Sequence, residues 1–236
     1  MNQEKKIRIY CVRIGDKYGQ EYEDYINKKL GKYNVHWIRE PFKEGVKLQW
    51  NKMLPMSYGI DEPIVVLDID IELINDYEKL FDYPIKRGQF LSIPAWWKDN
   101  DKYVINGGFF KYYPSDCKYI FDKFVNDIGY WQEYYIKAGV TAGPVNGEQH
   151  FVEDSVNEQL ELITVPPSWV TRWTNGKGMS DIQYSEWMWK LTKGYRAVTN
   201  NDYVKMGDFH EDIKMVHYTH THNKPTDRTM LEDEYK

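Results

Sequence analysis

An apolar run followed by two aspartates stands in the sequence Ile64-Val65-Val66-Leu67-Asp68-Ile69-Asp70-Ile71-Glu72-Leu73. Its first four residues are apolar, three of them are β-branched, and Pro63 precedes them, a pattern typical of a strand buried on both faces. Asp68 and Asp70 stand where this predicted strand ends. Because ligands of open α/β sheets bind beyond the carboxyl ends of the strands, the two carboxylates are candidates for binding.

Two carboxylates this close in sequence repel each other unless a cation lies between them. Hard oxygen ligands suit Mg or Mn, and such an ion completes its shell with water and substrate phosphates. The pattern D-x-D is short, so solvated or helix-capping aspartates at a strand end are the alternative interpretation.

Composition narrows the class of protein. The 236 residues carry a net charge of −5, which argues against a nucleic-acid partner because nucleic-acid-binding domains usually have a basic excess. The two cysteines, Cys11 and Cys117, are too few for a disulfide framework. Since the sequence has neither a signal peptide nor an 18-residue apolar run, we expect a cytoplasmic protein without a transmembrane segment.

The segments before the acidic pair alternate between strand and helix patterns. Residues 7–14 and 35–38 have strand patterns, and residues 21–30 between them have helical spacing. This order predicts an α/β fold with a mostly parallel central sheet flanked by helices, and no linker or repeat divides the chain 1–236. The loop after the first strand, with Tyr18, is either a nucleotide site or an ordinary strand-to-helix loop.

Three later places are also site candidates. Lys52 lies on a predicted short helix, 48–54, where a solvated surface lysine is the default. Asn106-Gly107-Gly108 interrupts a predicted strand, and a double glycine there indicates a bulge or a close approach by something else. His217, His220 and His222 follow a predicted strand, and imidazole is a common ligand for Mn, so one of them is a candidate to complete a site with Asp70.

Taken in order, these motifs resemble GT-A glycosyltransferases, most closely the glycogenin/galactosyltransferase type of glycosyltransferase family 8 and its small viral and bacterial relatives. The resemblance runs from residue 7 to residue 225. The motifs that resemble the family are WNKMLP (50–55), VVLDID (65–70), INGGFF (105–110), the opening VRIGDKYG (12–19), and His217-Tyr218 followed by Lys224-Pro225. The late motif is one residue longer than in the family, with His220 where the family has glycine.

The resemblance implies a single GT-A domain over 1–236, with a metal and diphosphate motif and tail at 217–236. It implies a hexosyltransferase-like enzyme that moves a sugar from a UDP-linked donor to a glycan or other hydroxyl acceptor. The transfer would retain the configuration at the anomeric carbon. Mn(II) or Mg(II) would be the cofactor. The implied metal ligands are Asp68, Asp70 and His217; the implied donor-binding residues are Val12, Arg13, Tyr18, Lys52, Asp68, Asn106, Gly107 and Lys224; the implied catalytic residues are Glu153 and Asp154.

The family's acidic segment fits this sequence in two registers, since Glu148-Gln149 matches its beginning and Glu153-Asp154 its end. Two other functions compete with the transferase. A haloacid dehalogenase-type phosphohydrolase also has D-x-D after an apolar strand, but normally near the N-terminus. A non-catalytic sugar-binding protein would account for the aromatic residues, 20 Tyr and nine Trp, without needing the acidic pair.

Overall fold

The computed structural model describes residues 7–95, 103–141, 143, 145–172 and 213–217. Its main sheet has six strands in the order β2-β1-β3-β6-β5-β7. The elements are β1 (Arg8–Val12), α1 (Gln20–Lys29), β2 (Asn34–Ile38), a 3₁₀ helix (Leu48–Ser57), β3 (Ile64–Leu67), β4 (Ile71–Leu73), α2 (Glu78–Asp82), β5 (Gln89–Pro94), β6 (Ile105–Tyr112), α3 (Pro114–Asn126), α4 (Ile128–Lys137), α5 (Glu148–Gln159), β7 (Glu161–Thr164), a 3₁₀ turn (Pro167–Trp169), β8 (Val170–Arg172) and β9 (Met215–His217).

Strand β3 lies in the interior of this sheet. All four of its side chains are at most 1% exposed, which explains why the sequence is apolar at every position rather than at alternate ones. β3 pairs parallel with β1, and β1 pairs parallel with β2. On its other side β3 pairs antiparallel with β6. The expected α/β fold with a mostly parallel sheet is confirmed, with β6 running against β3.

Aromatic side chains fill the layer between the sheet and its helices. Trp50 of the 3₁₀ helix stacks on Phe124 of α3, with ring centroids 5.0 Å apart and planes 12° apart. Phe151 of α5 joins them, 5.8 Å from each ring. Burial of these three large rings holds the 3₁₀ helix, α3 and α5 together, and so fixes the position of every side chain those elements carry.

The chain turns between Asp68 and Asp70, and a second sheet begins there. Ile71–Leu73 forms β4, which belongs to a three-stranded sheet of order β4-β9-β8. β4 pairs antiparallel with β9, with Ile71 opposite His217. The sequence predicted the strand ending at Leu67 but not this second short strand, whose partner lies about 140 residues later in the chain.

The chain divides into two compact units. One consists of Met1–Ile69, Pro84–Ser92 and Ile105–Ile163, and the other of Asp70–Tyr83, Ile93–Val104 and Thr164–Lys236. The single domain over 1–236 stays a prediction. Within the described ranges, the helices are all too short or too polar to cross a lipid bilayer.

Candidate active site

The order of the strands predicts a crevice at the end of β1. The chain passes from β1 to β2 on one side and then returns to β3 on the other side of β1. Where the strand order reverses in this way, the loops after the two flanking strands separate and leave a ligand-sized opening. The residues that follow β1 and β3 are Arg13 and Asp68, so both candidates lie at this opening.

Asp68 is held at the strand end by its backbone and by Lys52. Its N–H donates to the Gly108 carbonyl at 2.9 Å, so pairing with β6 continues one residue past β3. The Lys52 ammonium lies 2.6 Å from the Asp68 carboxylate. The Asp68 side chain is 23% exposed, so part of it reaches solvent while Lys52 holds the carboxylate.

Lys52 is buried, which overturns the default of a surface lysine. Its side chain is 5% exposed, and its ammonium donates to the Gly107 carbonyl at 2.8 Å. A second carboxylate, that of Glu148, lies 3.8 Å away. Burying an ammonium group is costly unless carboxylates and hydrogen bonds compensate it, and these three contacts supply the compensation.

The double glycine makes room for helix α5. A Cβ on Gly107 would lie 3.0 Å from the Glu148 carboxylate and 3.3 Å from the Gln149 Cβ. The Gly107 N–H also donates to the Gln149 side-chain oxygen at 3.1 Å. The Asn106 side chain accepts the Gly108 N–H at 2.8 Å. The close approach expected at this glycine pair is therefore that of the first turn of α5, and Asn106 holds the backbone that permits it.

Glu148 lies beside Lys52 at the start of α5, and the family resemblance assigns it no role. It is 4% exposed, and within the described residues its Oε1 has no hydrogen-bond partner. Burial raises the pKa of Glu148 to about 7; Lys52 offsets part of this effect, and the negative charge of Asp68 adds to it. The sequence pointed to Glu148 through one of the two alignments with the family's acidic segment, the one in which Glu148-Gln149 matches the beginning of that segment.

Glu153 and Asp154 lie further along α5. The Glu153 carboxylate is 1% exposed and accepts the Ile105 N–H at 3.2 Å. The half-buried Asp154 accepts the Tyr135 hydroxyl at 2.7 Å. The structure therefore brings Lys52, Asp68 and Glu148 together, whereas Glu153 and Asp154 bind a strand backbone and a helix side chain.

Asp70 and His217 meet in the second unit. The pairing of β4 with β9 sets His217 opposite Ile71, and His217 Nε2 lies 3.9 Å from Asp70 Oδ1. The His217 side chain is 8% exposed and the Asp70 side chain is 13% exposed. An ion about 2.1 Å from each ligand atom would bridge a gap of up to about 4.2 Å, so this oxygen and nitrogen fit a divalent cation. Lys224, His220 and His222 lie outside the described residues.

The loop after β1 carries the remaining candidates. Val12, the last residue of β1, is half-buried, and Tyr18 packs edge-on against Tyr22, 5.0 Å between ring centroids. Arg13 donates from Nε to the Glu23 carboxylate at 2.9 Å. Burial raises the pKa of Glu23, but hydrogen bonds from Arg39 and Arg13 outweigh burial and hold it below its usual range.

Comparison with known proteins gives matches in structure and none in sequence. No family model matches the chain, and no curated protein matches it. Among solved structures, the glycosyltransferase GlyE of Streptococcus pneumoniae TIGR4 matches with TM-score 0.58 at 10% identity, over 98% of this chain and 61% of GlyE.

Two other glycosyltransferase structures match as well. The bifunctional glycosyltransferase WbbM matches with TM-score 0.51 at 12% identity, over 100% of this chain and 50% of WbbM. The galactosyltransferase LgtC, solved with donor and acceptor sugar analogs, matches with TM-score 0.50 at 10% identity, over 97% of this chain and 95% of LgtC. The chain thus spans 61% of GlyE and half of WbbM. At these identities the matches establish the fold, which is that of GT-A glycosyltransferases, while membership of family 8 stays a prediction.

Proposed function

We propose that this protein is a glycosyltransferase that moves a sugar from a nucleoside-diphosphate donor, UDP-linked, to a hydroxyl group of a glycan or other acceptor. The observation that carries the proposal is the set of charged groups at the crevice end of β3, where the Lys52 ammonium lies 2.6 Å from Asp68. It stands on a fold that this chain has in common with GlyE, WbbM and LgtC.

A divalent ion, Mn(II) or Mg(II), fits the acidic end of this crevice. Asp68, Asp70 and His217 are of the ligand types that hold such ions. Only Ile69 separates the two aspartates, so the covalent chain keeps both within reach of one ion. When bound, the ion would stabilise the negative charge that develops on the departing diphosphate.

We assign the remaining residues the roles that the resemblance implies. Lys52 positions Asp68 and offsets its charge. Val12, Arg13 and Tyr18 hold the base, and Lys52, Asn106 and Gly107 form the wall that faces the donor. Lys224 contacts the diphosphate. The family that this chain resembles retains the anomeric configuration of the transferred sugar, and we infer the same outcome here.

We propose Glu153 and Asp154 as the carboxylates near the sugar and the acceptor, where a carboxylate stabilises positive charge on the sugar ring or accepts a proton. Glu148 competes with them for this role because it lies beside Lys52. Replacing each of the three by its amide, and measuring donor hydrolysis and transfer, identifies the one whose loss reduces kcat most.

The activity itself is tested by incubating the protein with UDP-sugars and Mn(II) and measuring release of UDP. We expect release that EDTA abolishes and that added Mn(II) restores. A folded protein that releases no UDP from any common UDP-hexose, with or without a mixture of glycan acceptors, would contradict the proposal for UDP-linked donors. The cytoplasmic location stays a prediction.

A further inference from the structure

A buried carboxylate holds two arginines at the ends of neighbouring strands. Glu23, on the first turn of α1, has a side chain only 6% exposed. One of its oxygens accepts from Arg13 Nε at 2.9 Å, and the other accepts from the Arg39 guanidinium. Both oxygens of this acid are therefore engaged by arginine, and the group carries a net charge of +1.

The two arginines follow adjacent parallel strands. Arg13 comes directly after β1 and Arg39 directly after β2, and the Arg13 N–H donates to the Ile38 carbonyl at 3.0 Å. Arg39 is held in place on a second side, because its guanidinium lies 5.8 Å from the ring centre of Trp37. Yet its side chain is 54% exposed, so N–H groups not used by Glu23 face solvent.

The spacing of the strands relates Arg39 to the acidic end of the crevice. β2 and β3 flank β1 on opposite sides, and neighbouring strands lie about 4.8 Å apart, so the ends of β2 and β3 are separated by about 10 Å. A nucleotide whose diphosphate lies at Asp68 would extend across the end of β1, with its base directed toward β2. The ends of β1 and β2 offer such a base the guanidinium N–H donors of Arg13 and Arg39, which Glu23 holds in place.

We propose that Arg39, held beside Arg13 by Glu23, reads the base of the donor nucleotide and selects uracil or guanine, which carry a carbonyl oxygen where cytosine and adenine carry an amino group. This inference rests on the proposed function. A guanidinium group only donates hydrogen bonds. Guanine and uracil present oxygen acceptors at the edge where adenine and cytosine present an amino donor. Arg39 is a specificity residue under this proposal, and Glu23 is the positioning residue that orients it.

Titration calorimetry with UDP and CDP, in Mn(II), tests the proposal on the full chain. These two ligands share ribose and diphosphate and differ at the base. We expect the wild type to bind UDP more tightly than CDP, and Arg39→Met to reduce that preference by about 10-fold through weaker UDP binding, with CDP affinity unchanged. If the wild type prefers GDP, the pair GDP and ADP replaces them with the same expectation.

Two further variants serve as a matched control and as a test of the guanidinium geometry. Arg87→Met is the matched control, since Arg87 is 51% exposed and also bridges carboxylates, and it should keep the wild-type preference. Arg39→Lys keeps the charge but loses the planar fork, and should lose most of the preference. Circular dichroism of each variant verifies its fold.

The outcomes separate this inference from the proposed function. Wild-type protein that binds none of the four nucleotides contradicts both. Three outcomes would overturn the role of Arg39 alone. They are a wild type that binds UDP and CDP equally, an Arg39→Met variant with an unchanged preference, and an Arg39→Met variant whose affinities for both nucleotides fall together. None of them would contradict the proposed transferase function.

Discussion

Lys52 is the residue on which the charged end of the crevice depends. Its ammonium contacts one backbone carbonyl and lies between the carboxylates of Asp68 and Glu148. Without it, the carboxylates of the buried Glu148 and the partly buried Asp68 would lose a compensating positive charge, and the Gly107 carbonyl would lose this hydrogen bond.

Lys52→Met is therefore expected to lower the free energy of unfolding by about 3 kcal/mol, since breaking a buried ion pair leaves a charge without compensation. Urea denaturation at neutral pH measures the loss. Lys137→Met is the control, because Lys137 is 75% exposed and its ion pair among the described residues is with Glu133 on the same helix, and it should change stability by less than about 0.5 kcal/mol. Equal stability of the two variants would show that Lys52 is not held as described.

Glu148 gives the protein a pH dependence near neutrality. Its folded-state pKa, about 7, lies above the ordinary value of 4.5, so the folded state retains a proton that the unfolded chain releases. The contribution of Glu148 to the free energy of unfolding is therefore fully present below about pH 4.5 and is lost as the pH rises through 7.

Relative to Glu148→Gln, the wild type should lose about 2–3 kcal/mol of unfolding free energy between pH 5 and pH 8. Urea denaturation of both proteins at four pH values, without added metal, measures the difference. A difference that does not change with pH would mean that Glu148 ionises as an exposed glutamate does.

Among the secondary-structure elements, α5 and β6 approach each other closely at Gly107, where an added Cβ would meet Glu148 and Gln149. Gly107→Ala should destabilise the fold by about 1–3 kcal/mol, because the added Cβ would lie 3.0 Å from a carboxylate oxygen that Lys52 also attracts. Thermal unfolding measures this effect. Gly59→Ala is the control, since a Cβ there meets nothing within 4 Å; a variant of Gly107 as stable as this control would contradict the close packing of α5.

The strongly patterned elements were predictable from the sequence, and the short ones were not. β3 is apolar at every position because the sheet covers both its faces, and α1, α3 and α5 carry apolar residues at helical spacing. β4 has three residues and pairs with β9 far along the chain, so nothing local distinguishes it from a loop. Without the family resemblance, the surface is the default for Lys52, because the partners that bury it, Gly107 and Glu148, are distant in sequence.

For the whole molecule, the order of the strands matters more than any single motif. The reversal at β1 brings the residues after β1, β2 and β3 to one edge of the sheet. The sequence could predict the acidic pair and the parallel start of the sheet. It could not predict that Glu23 joins Arg13 to Arg39, because no spacing rule connects a helix residue with the ends of two strands.

We expect the acidic end of this crevice to bind a nucleoside diphosphate through a divalent ion. Titration calorimetry of UDP with and without Mn(II) measures this binding on the wild type, on Asp70→Ala and on the surface control Asp122→Ala. We expect binding that requires Mn(II), that Asp70→Ala reduces at least about 100-fold, as loss of an essential metal ligand should, and that Asp122→Ala leaves intact. Folded wild-type protein that binds neither UDP nor GDP at millimolar concentration with Mn(II), or an Asp70→Ala variant that binds as the wild type does, would contradict it.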